Sequence, residues 1–146
     1  MIALVGLPGS GKTTVGRQLA RRLQIPFVDS DQRIETQLGC SIRDFFAREG
    51  EDAFRDVEES VIDALTQDGP CVLSTGGGAF LSDTNRALIR EAGVSVWLRA
   101  DLDLLWQRVR HKSTRPLLRT DLEGQQYIPL SNRFTLGLRA EIGYGV

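Results

Sequence analysis

The sequence predicts an α/β domain, a parallel β-sheet flanked by helices, and three observations carry that prediction. Apolar segments alternate between strand-like and helix-like patterns from residue 2 to about residue 110, the order expected of βαβ units. The first of them, Ile2-Ala3-Leu4-Val5, is apolar at every position, as suits a strand covered on both faces. The third is size: 146 residues with 41% apolar and 25% charged side chains suffice for one compact core and are too few for two catalytic domains.

A glycine-rich turn follows the first strand. From Lys12 to Leu23 the apolar residues Val15, Leu19 and Leu23 recur every fourth position among Arg17, Arg21 and Arg22, which predicts an amphipathic helix laying that stripe on the sheet. Pro26-Phe27-Val28 is the second strand, running into Asp29-Ser30-Asp31 and a short helical stretch with Ile34 and Leu38. Ser41-Ile42-Arg43-Asp44 resembles a capping box with Asp in the place of Glu, opening a short helix with Phe45 and Phe46. Phe54, Val57, Val61, Ile62 and Leu65 form the stripe of a further helix over 51–67, ended by Asp68-Gly69-Pro70. Cys71 to Thr75 is the third strand, Gly76-Gly77-Gly78 its exit, and Ser82-Asp83 the cap of a helix running to about Ala92. Val94 to Leu98 is the fourth strand, and a helix carrying Leu104, Leu105 and Trp106 is expected from Asp101 to about Arg110. Residues 120–146 follow neither the strand nor the helix period, and no element is predicted there.

Charge and cysteine content exclude several classes of function. With 18 Lys and Arg against 19 Asp and Glu, the net charge is −1, so no large field exists to hold a nucleic acid or an acidic membrane, and neither is expected as a partner. No apolar run approaches the roughly 18 residues that span a bilayer. Met1 opens straight into the first strand with no basic leader, so a cytoplasmic location is expected. Cys40 and Cys71 are isolated thiols without C-x-x-C spacing, which suggests neither a disulfide framework nor a zinc site.

Gly6-Leu7-Pro8-Gly9-Ser10-Gly11-Lys12-Thr13 matches G-x-x-x-x-G-K-[ST] between a buried strand and a helix, the context that a phosphate-binding P-loop requires. Glycines let successive N–H groups converge on phosphate oxygens at a helix N-terminus whose dipole already favours an anion. Lys12 can then reach the β- and γ-phosphates, and the Thr13 hydroxyl can ligate Mg²⁺. Asp29 and Asp31 lie past the second strand, on the edge where open α/β sheets place ligands. One can support Mg²⁺ through its water shell while the other faces a substrate hydroxyl. Alternatively, Asp31 caps the next helix and Asp29 closes the turn. Glu51, Arg55 and Glu58 share a helical face at spacings that by themselves suggest a solvated surface. Gly76-Gly77-Gly78 costs backbone entropy on ordering, and its expected benefit is close approach of a ligand to the main chain; a flexible turn is the alternative. The basic residues between Arg108 and Arg115 suit a basic loop closing over a triphosphate, or charges complementing the end of the preceding helix. His111 among them has no partner motif and reads as an exposed loop residue.

Together the P-loop, Asp29-Ser30-Asp31, the Gly50-Glu51, Phe54-Arg55 and Glu58 string, the triple glycine and Arg115-Pro116-Leu117-Leu118 resemble the shikimate kinase family, in family order over residues 1–119. The resemblance implies a single P-loop kinase domain of nucleoside monophosphate kinase-like architecture, with its core at 1–107 and 116–146 and its lid at 108–115. It implies transfer of the γ-phosphoryl group of ATP to the 3-hydroxyl of shikimate with Mg²⁺, by a monomer. Nucleotide contacts would come from Gly9, Ser10, Gly11, Lys12, Thr13, Thr14, Arg108 and Arg115, and the metal would lie at Thr13 and Asp29. Asp31 would take the hydroxyl, Arg55 the carboxylate, Gly76, Gly77 and Gly78 would line the substrate, and Glu58 would orient Arg55. Lys12, Asp31 and Arg115 would be the catalytic groups. The family continues into an Arg-x-Pro-Leu-Tyr segment, for which the best match is Arg133-Phe134-Thr135-Leu136-Gly137, carrying Arg133 over as a further carboxylate ligand. The alternatives are another small-metabolite kinase resembling gluconate kinase, or a chain that binds nucleotide and shikimate without turnover.

Overall fold

The computed structural model describes residues 1–101, 103, 105, 136 and 137. In chain order it contains β1 (Ile2–Val5), α1 (Lys12–Leu23), β2 (Phe27–Asp29), α2 (Ser30–Leu38), α3 (Ile42–Gln67), β3 (Val72–Ser74), a 3₁₀ turn (Ala79–Leu81), α4 (Asp83–Ala92), β4 (Val94–Leu98) and β5 (Leu136–Gly137). The strands lie in the order β2-β3-β1-β4-β5. The first four are parallel, and β5 pairs antiparallel with Trp97 and Leu98 of β4. β5 falls where the sequence pattern predicts nothing.

The sheet is covered on both faces, which is why β1 is apolar throughout. On one side Leu4 and Val72 pack with Ala20 of α1, flanked by Leu19, Ile25 and Phe27. On the other, Ala3 and Leu73 pack with Ile34 of α2, Phe54, Val61, Ile62 and Leu65 of α3 and Ile89 of α4. The α3 stripe matches its prediction except that Val57 is half-buried while Glu58 is buried among the apolar groups.

The stripe predicted for α1 is corrected. Val15 and Leu23 are exposed, and the sheet instead receives Gly16 and Ala20. Any Cβ at Gly16 would lie 2.6 Å from Cε2 of Phe27 and 3.0 Å from Cδ1 of Leu4, so this helix sits too near the sheet for a larger residue.

The helix ends follow local chemistry. Gly11, at φ 95°, is the N-cap of α1, and Ser41 and Ser82 cap α3 and α4 through their hydroxyls. Asp29, not Asp31, caps α2, its Oδ1 accepting from the N–H groups of Asp31 and Gln32. Gly50 is non-helical, at φ 85° and ψ 180°, so α3 is two helical segments meeting at a break, as the separate patterns around Phe45 and Phe54 predict. Phe46 and Phe54 pack across it with ring centroids 5.2 Å apart. The helix expected from Asp101 is present at Asp103 and at buried Leu105; its continuation to Arg110, the 108–115 lid, His111, Arg108, Arg115 and Arg133 lie outside the described residues. Among the described residues no helix is long and apolar enough to cross a membrane.

Candidate active site

Strand register assembles the site. Leu4 pairs with Ser74, and Ser74 with Asp29, so the segments leaving β1, β3 and β2 emerge side by side at one edge of the sheet. These are the P-loop, the triple glycine and Asp29-Ser30-Asp31. In the P-loop, Lys12 is 7% exposed and its Nζ donates to the carbonyls of Gly6 at 2.7 Å and Leu7 at 3.0 Å, holding the ammonium over its own loop. Ser10 is buried, and its Oγ has no hydrogen-bond partner among the described residues. Thr14 is exposed on the first turn of α1.

Asp29 serves two partners. While Oδ1 caps α2, Oδ2 accepts from the Thr13 hydroxyl at 3.2 Å. That places a hydroxyl and a carboxylate oxygen together at the start of α1, a hard-oxygen pair that fits a small divalent cation. No cluster of three or more His, Cys, Asp or Glu that could hold a metal exists among the described residues.

Each of the three glycines is crowded by a different part of the site, and none lies in the left-handed region. A Cβ at Gly76 would stand 2.7 Å from Oδ1 of Asp31 and 3.2 Å from Oε1 of Glu58; one at Gly77, 2.6 Å from Cδ and Cγ of Pro8; one at Gly78, 2.9 Å from a terminal nitrogen of Arg55. At Gly77 the Pro8 ring leaves no space for a Cβ, whereas at Gly76 and Gly78 the nearest atoms are the far ends of the Asp31, Glu58 and Arg55 side chains, which would have to shift. The close approach expected of a ligand is already made by the protein's own side chains. Gly77→Ala meets the Pro8 ring, which cannot rotate away, and is expected to lower stability by about 1–3 kcal/mol in urea unfolding. An unchanged midpoint would show that the P-loop yields freely.

The Glu51, Arg55 and Glu58 face is not a solvated surface. Glu58 is 1% exposed and its Oε2 accepts from Nη1 of Arg55 at 2.8 Å, while Nη2 of Arg55 donates to Glu51 at 3.2 Å. Burial pulls the Arg55 guanidinium down, but the carboxylates of Glu58 and Glu51 overcome it and leave it above the usual arginine value. Burial holds the Glu58 carboxyl above its ordinary value against the pull of Arg55, and the nearby Asp31 charge pushes the same way. The folded chain therefore binds this proton more tightly than the unfolded chain. Its contribution to stability is complete below the ordinary value of 4.5 and is lost as pH rises through the raised folded value. The stability of the unsubstituted chain relative to Glu58→Gln is accordingly expected to fall as pH rises from 4.5, by at most about 1.4 kcal/mol per unit. A difference that grows with pH in urea titrations would contradict this.

Of the residues predicted from sequence, Gly9 to Thr14, Asp29, Asp31, Arg55, Glu58 and Gly76 to Gly78 lie on or beside the three adjoining segments. Three others have no role assigned by the motifs. Thr75 is buried, with its hydroxyl donating to the Leu4 carbonyl at 3.1 Å; Pro8 backs Gly77; and Ser30, fully buried, accepts from the Gly76 N–H at 2.9 Å. Ser30 and Pro8 do stand within motifs, between the two aspartates and in the P-loop, but neither pattern gives their contacts.

Residues 8–134 match the family model for shikimate kinase. The shikimate kinase of Cereibacter sphaeroides is 59% identical over 119 residues, covering 82% of this chain and 60% of its own length, and that of Ruegeria pomeroyi is 60% identical over 119 residues, covering 82% and 61%. The chain thus spans about three fifths of the length of these relatives. The solved structure of the Acinetobacter baumannii shikimate kinase in complex with shikimate superposes with a TM-score of 0.78 at 44% identity, over 81% of this chain and 66% of that one. A gluconokinase from Sinorhizobium meliloti, at 23% identity and a TM-score of 0.53 over 84% of this chain and 72% of that one, shares the fold. With the family model, the identities and the local geometry in agreement, this chain belongs to the shikimate kinase family.

Proposed function

We propose that the chain transfers the γ-phosphoryl group of ATP to the 3-hydroxyl of shikimate. One observation carries the reading: a single turn, Gly76 to Gly78, touches the P-loop at Pro8, a carboxylate at Asp31 and a guanidinium at Arg55. A substrate bearing both a carboxylate and a hydroxyl can therefore be held at one end by Arg55 and meet a bound triphosphate at the other.

The roles follow from these positions. Main-chain N–H groups of Gly9 to Thr13 and the hydroxyls of Ser10 and Thr14 receive phosphate oxygens, and the unpartnered Ser10 hydroxyl supports this. Lys12 leaves the Gly6 and Leu7 carbonyls for the β- and γ-phosphates. Thr13 and Asp29 hold Mg²⁺, which when bound neutralises phosphate charge. Asp31 orients the 3-hydroxyl and accepts its proton as the oxygen attacks the γ-phosphorus and the bond to the bridging oxygen of ADP breaks. Arg55, fixed by Glu58, binds the carboxylate, with Arg133 as a second ligand. Arg108 and Arg115 in the 108–115 lid supply positive charge as the reaction proceeds. The chain acts as a single-domain monomer, and its buried Cys71, whose thiol burial pushes up, fits a reducing cytoplasm.

A second reading is binding of both ligands without turnover. A coupled ADP-release assay offering shikimate, gluconate and other hydroxy acids separates the readings. Turnover dependent on shikimate is expected. Shikimate binding in calorimetry without ADP release would favour the second reading, and turnover with gluconate alone would overturn the first.

A further inference from the structure

We infer that Ser30 is a positioning residue for phosphoryl transfer, its buried hydroxyl tying the Asp29–Asp31 segment to the triple-glycine turn. The inference rests on the proposed reaction, because it assigns what sets the distance between the groups that perform it. Ser30 is 0% exposed, and its Oγ accepts from the Gly76 N–H at 2.9 Å. Gly76 is buried too, so without Ser30 its N–H would lose a partner that water could not readily replace.

The consequence reaches both ends of the site. Oδ1 of Asp31 lies 2.7 Å from the place where a Cβ on Gly76 would stand, and Oε1 of Glu58 3.2 Å from it. Any slackening between Ser30 and Gly76 moves this wall against the carboxylate that receives the hydroxyl proton. Gly78 carries the displacement onward to the Arg55 guanidinium. Ser30 touches no substrate, so its effect is on where Asp31 and Arg55 stand relative to each other. The contacts of Asp29 stand apart: its own two oxygens serve the α2 cap and Thr13, and neither contact passes through the Ser30 hydroxyl.

The test compares Ser30→Ala with Ser30→Thr in the ADP-release assay. Ser30→Ala is expected to lower kcat about tenfold or more and to raise the KM for shikimate, with the KM for ATP within about twofold of the unsubstituted value. Ser30→Thr, which keeps the acceptor, is expected to recover most of the lost kcat. Equal changes in both KM values, or an unchanged kcat in a folded Ser30→Ala, would overturn the proposal. If Ser30→Ala does not fold, Ser30→Cys carries the same comparison, since it fills the space and weakens the acceptor; unchanged constants there would overturn it as well. Should the unsubstituted chain give no turnover, the reading of the reaction falls, and the variants are compared by shikimate and ATP calorimetry. Selective loss of shikimate affinity in Ser30→Ala supports the tie, whereas unaltered affinity, or no shikimate binding by the unsubstituted chain, removes it.

Discussion

Lys12→Ala is expected to lower kcat at least about a hundredfold while leaving the chain folded, the scale on which a single preorganised electrostatic group acts in transfer reactions. Lys12 is almost fully buried, and its ammonium donates to two neutral carbonyls, those of Gly6 and Leu7. An incoming triphosphate replaces these neutral acceptors by charged ones, and hydrogen bonds between ionised partners are roughly twice as strong. The gain is largest when charge on the transferring group is greatest, so it appears chiefly in kcat. Removing the side chain also frees the two carbonyls, which are only partly buried and can turn to water. Steady-state kinetics with thermal unfolding of the same preparation checks this. A folded variant with the original kcat would remove the lysine from the mechanism.

Arg55→Ala is expected to raise the KM for shikimate roughly thirtyfold or more, equivalent to the ~2 kcal/mol or more that losing one partner of a buried, hydrogen-bonded charge pair costs. The KM for ATP should stay within about twofold. Arg55 presents one terminal nitrogen to buried Glu58 and the other to exposed Glu51, with Gly78 against its end. Glu51 is the partner that a substrate carboxylate can displace; Glu58 is the one that keeps the fork in place. The same substitution leaves Glu58 buried beside Asp31 with its cation gone, a loss of about 3–5 kcal/mol for a stranded charge. Adding Glu58→Gln to Arg55→Ala should restore part of the stability and none of the shikimate affinity. Kinetic constants and urea midpoints for the single and double variants provide the check. Equal effects on both substrates would contradict the assigned role.

The sequence pattern locates β1 to β4 and the helices between them because each is a short apolar run or a repeating stripe bounded by glycine, proline or a capping residue. It misjudges the inner face of α1. Val15, Leu19 and Leu23 look like a core stripe, yet only Leu19 of them packs at the sheet, beside Gly16 and Ala20, because Phe27 and Leu4 lie too close to Gly16 for a larger residue there, and that closeness is a tertiary fact. The P-loop is legible because its spacing is its chemistry. Arg55 and Glu58 are not, since a buried charge pair and a solvated one have the same spacing; the family resemblance, and then the burial of Glu58, decide it. The contacts of Ser30 and Thr75 are illegible for another reason, their partners being main-chain groups 46 and 71 residues away. β5 is two residues long and paired by register with Trp97 and Leu98, too short to leave a period.

The side-by-side exit of three segments at one sheet edge also governs how the molecule acquires its site. β1 reaches β3 only across the span from Ile2 to Val72, and β2 reaches β3 from Phe27 to Val72, so the three segments that meet at this edge come from distant parts of the chain. Pairing of such distant strands is the slow, all-or-none part of assembling a parallel sheet. The recognition surface therefore arises together with the native core and does not precede it. A ligand that bridges the three segments is then a clamp on the entire sheet, adding about 2.7 kcal/mol to global stability at a hundred times its dissociation constant.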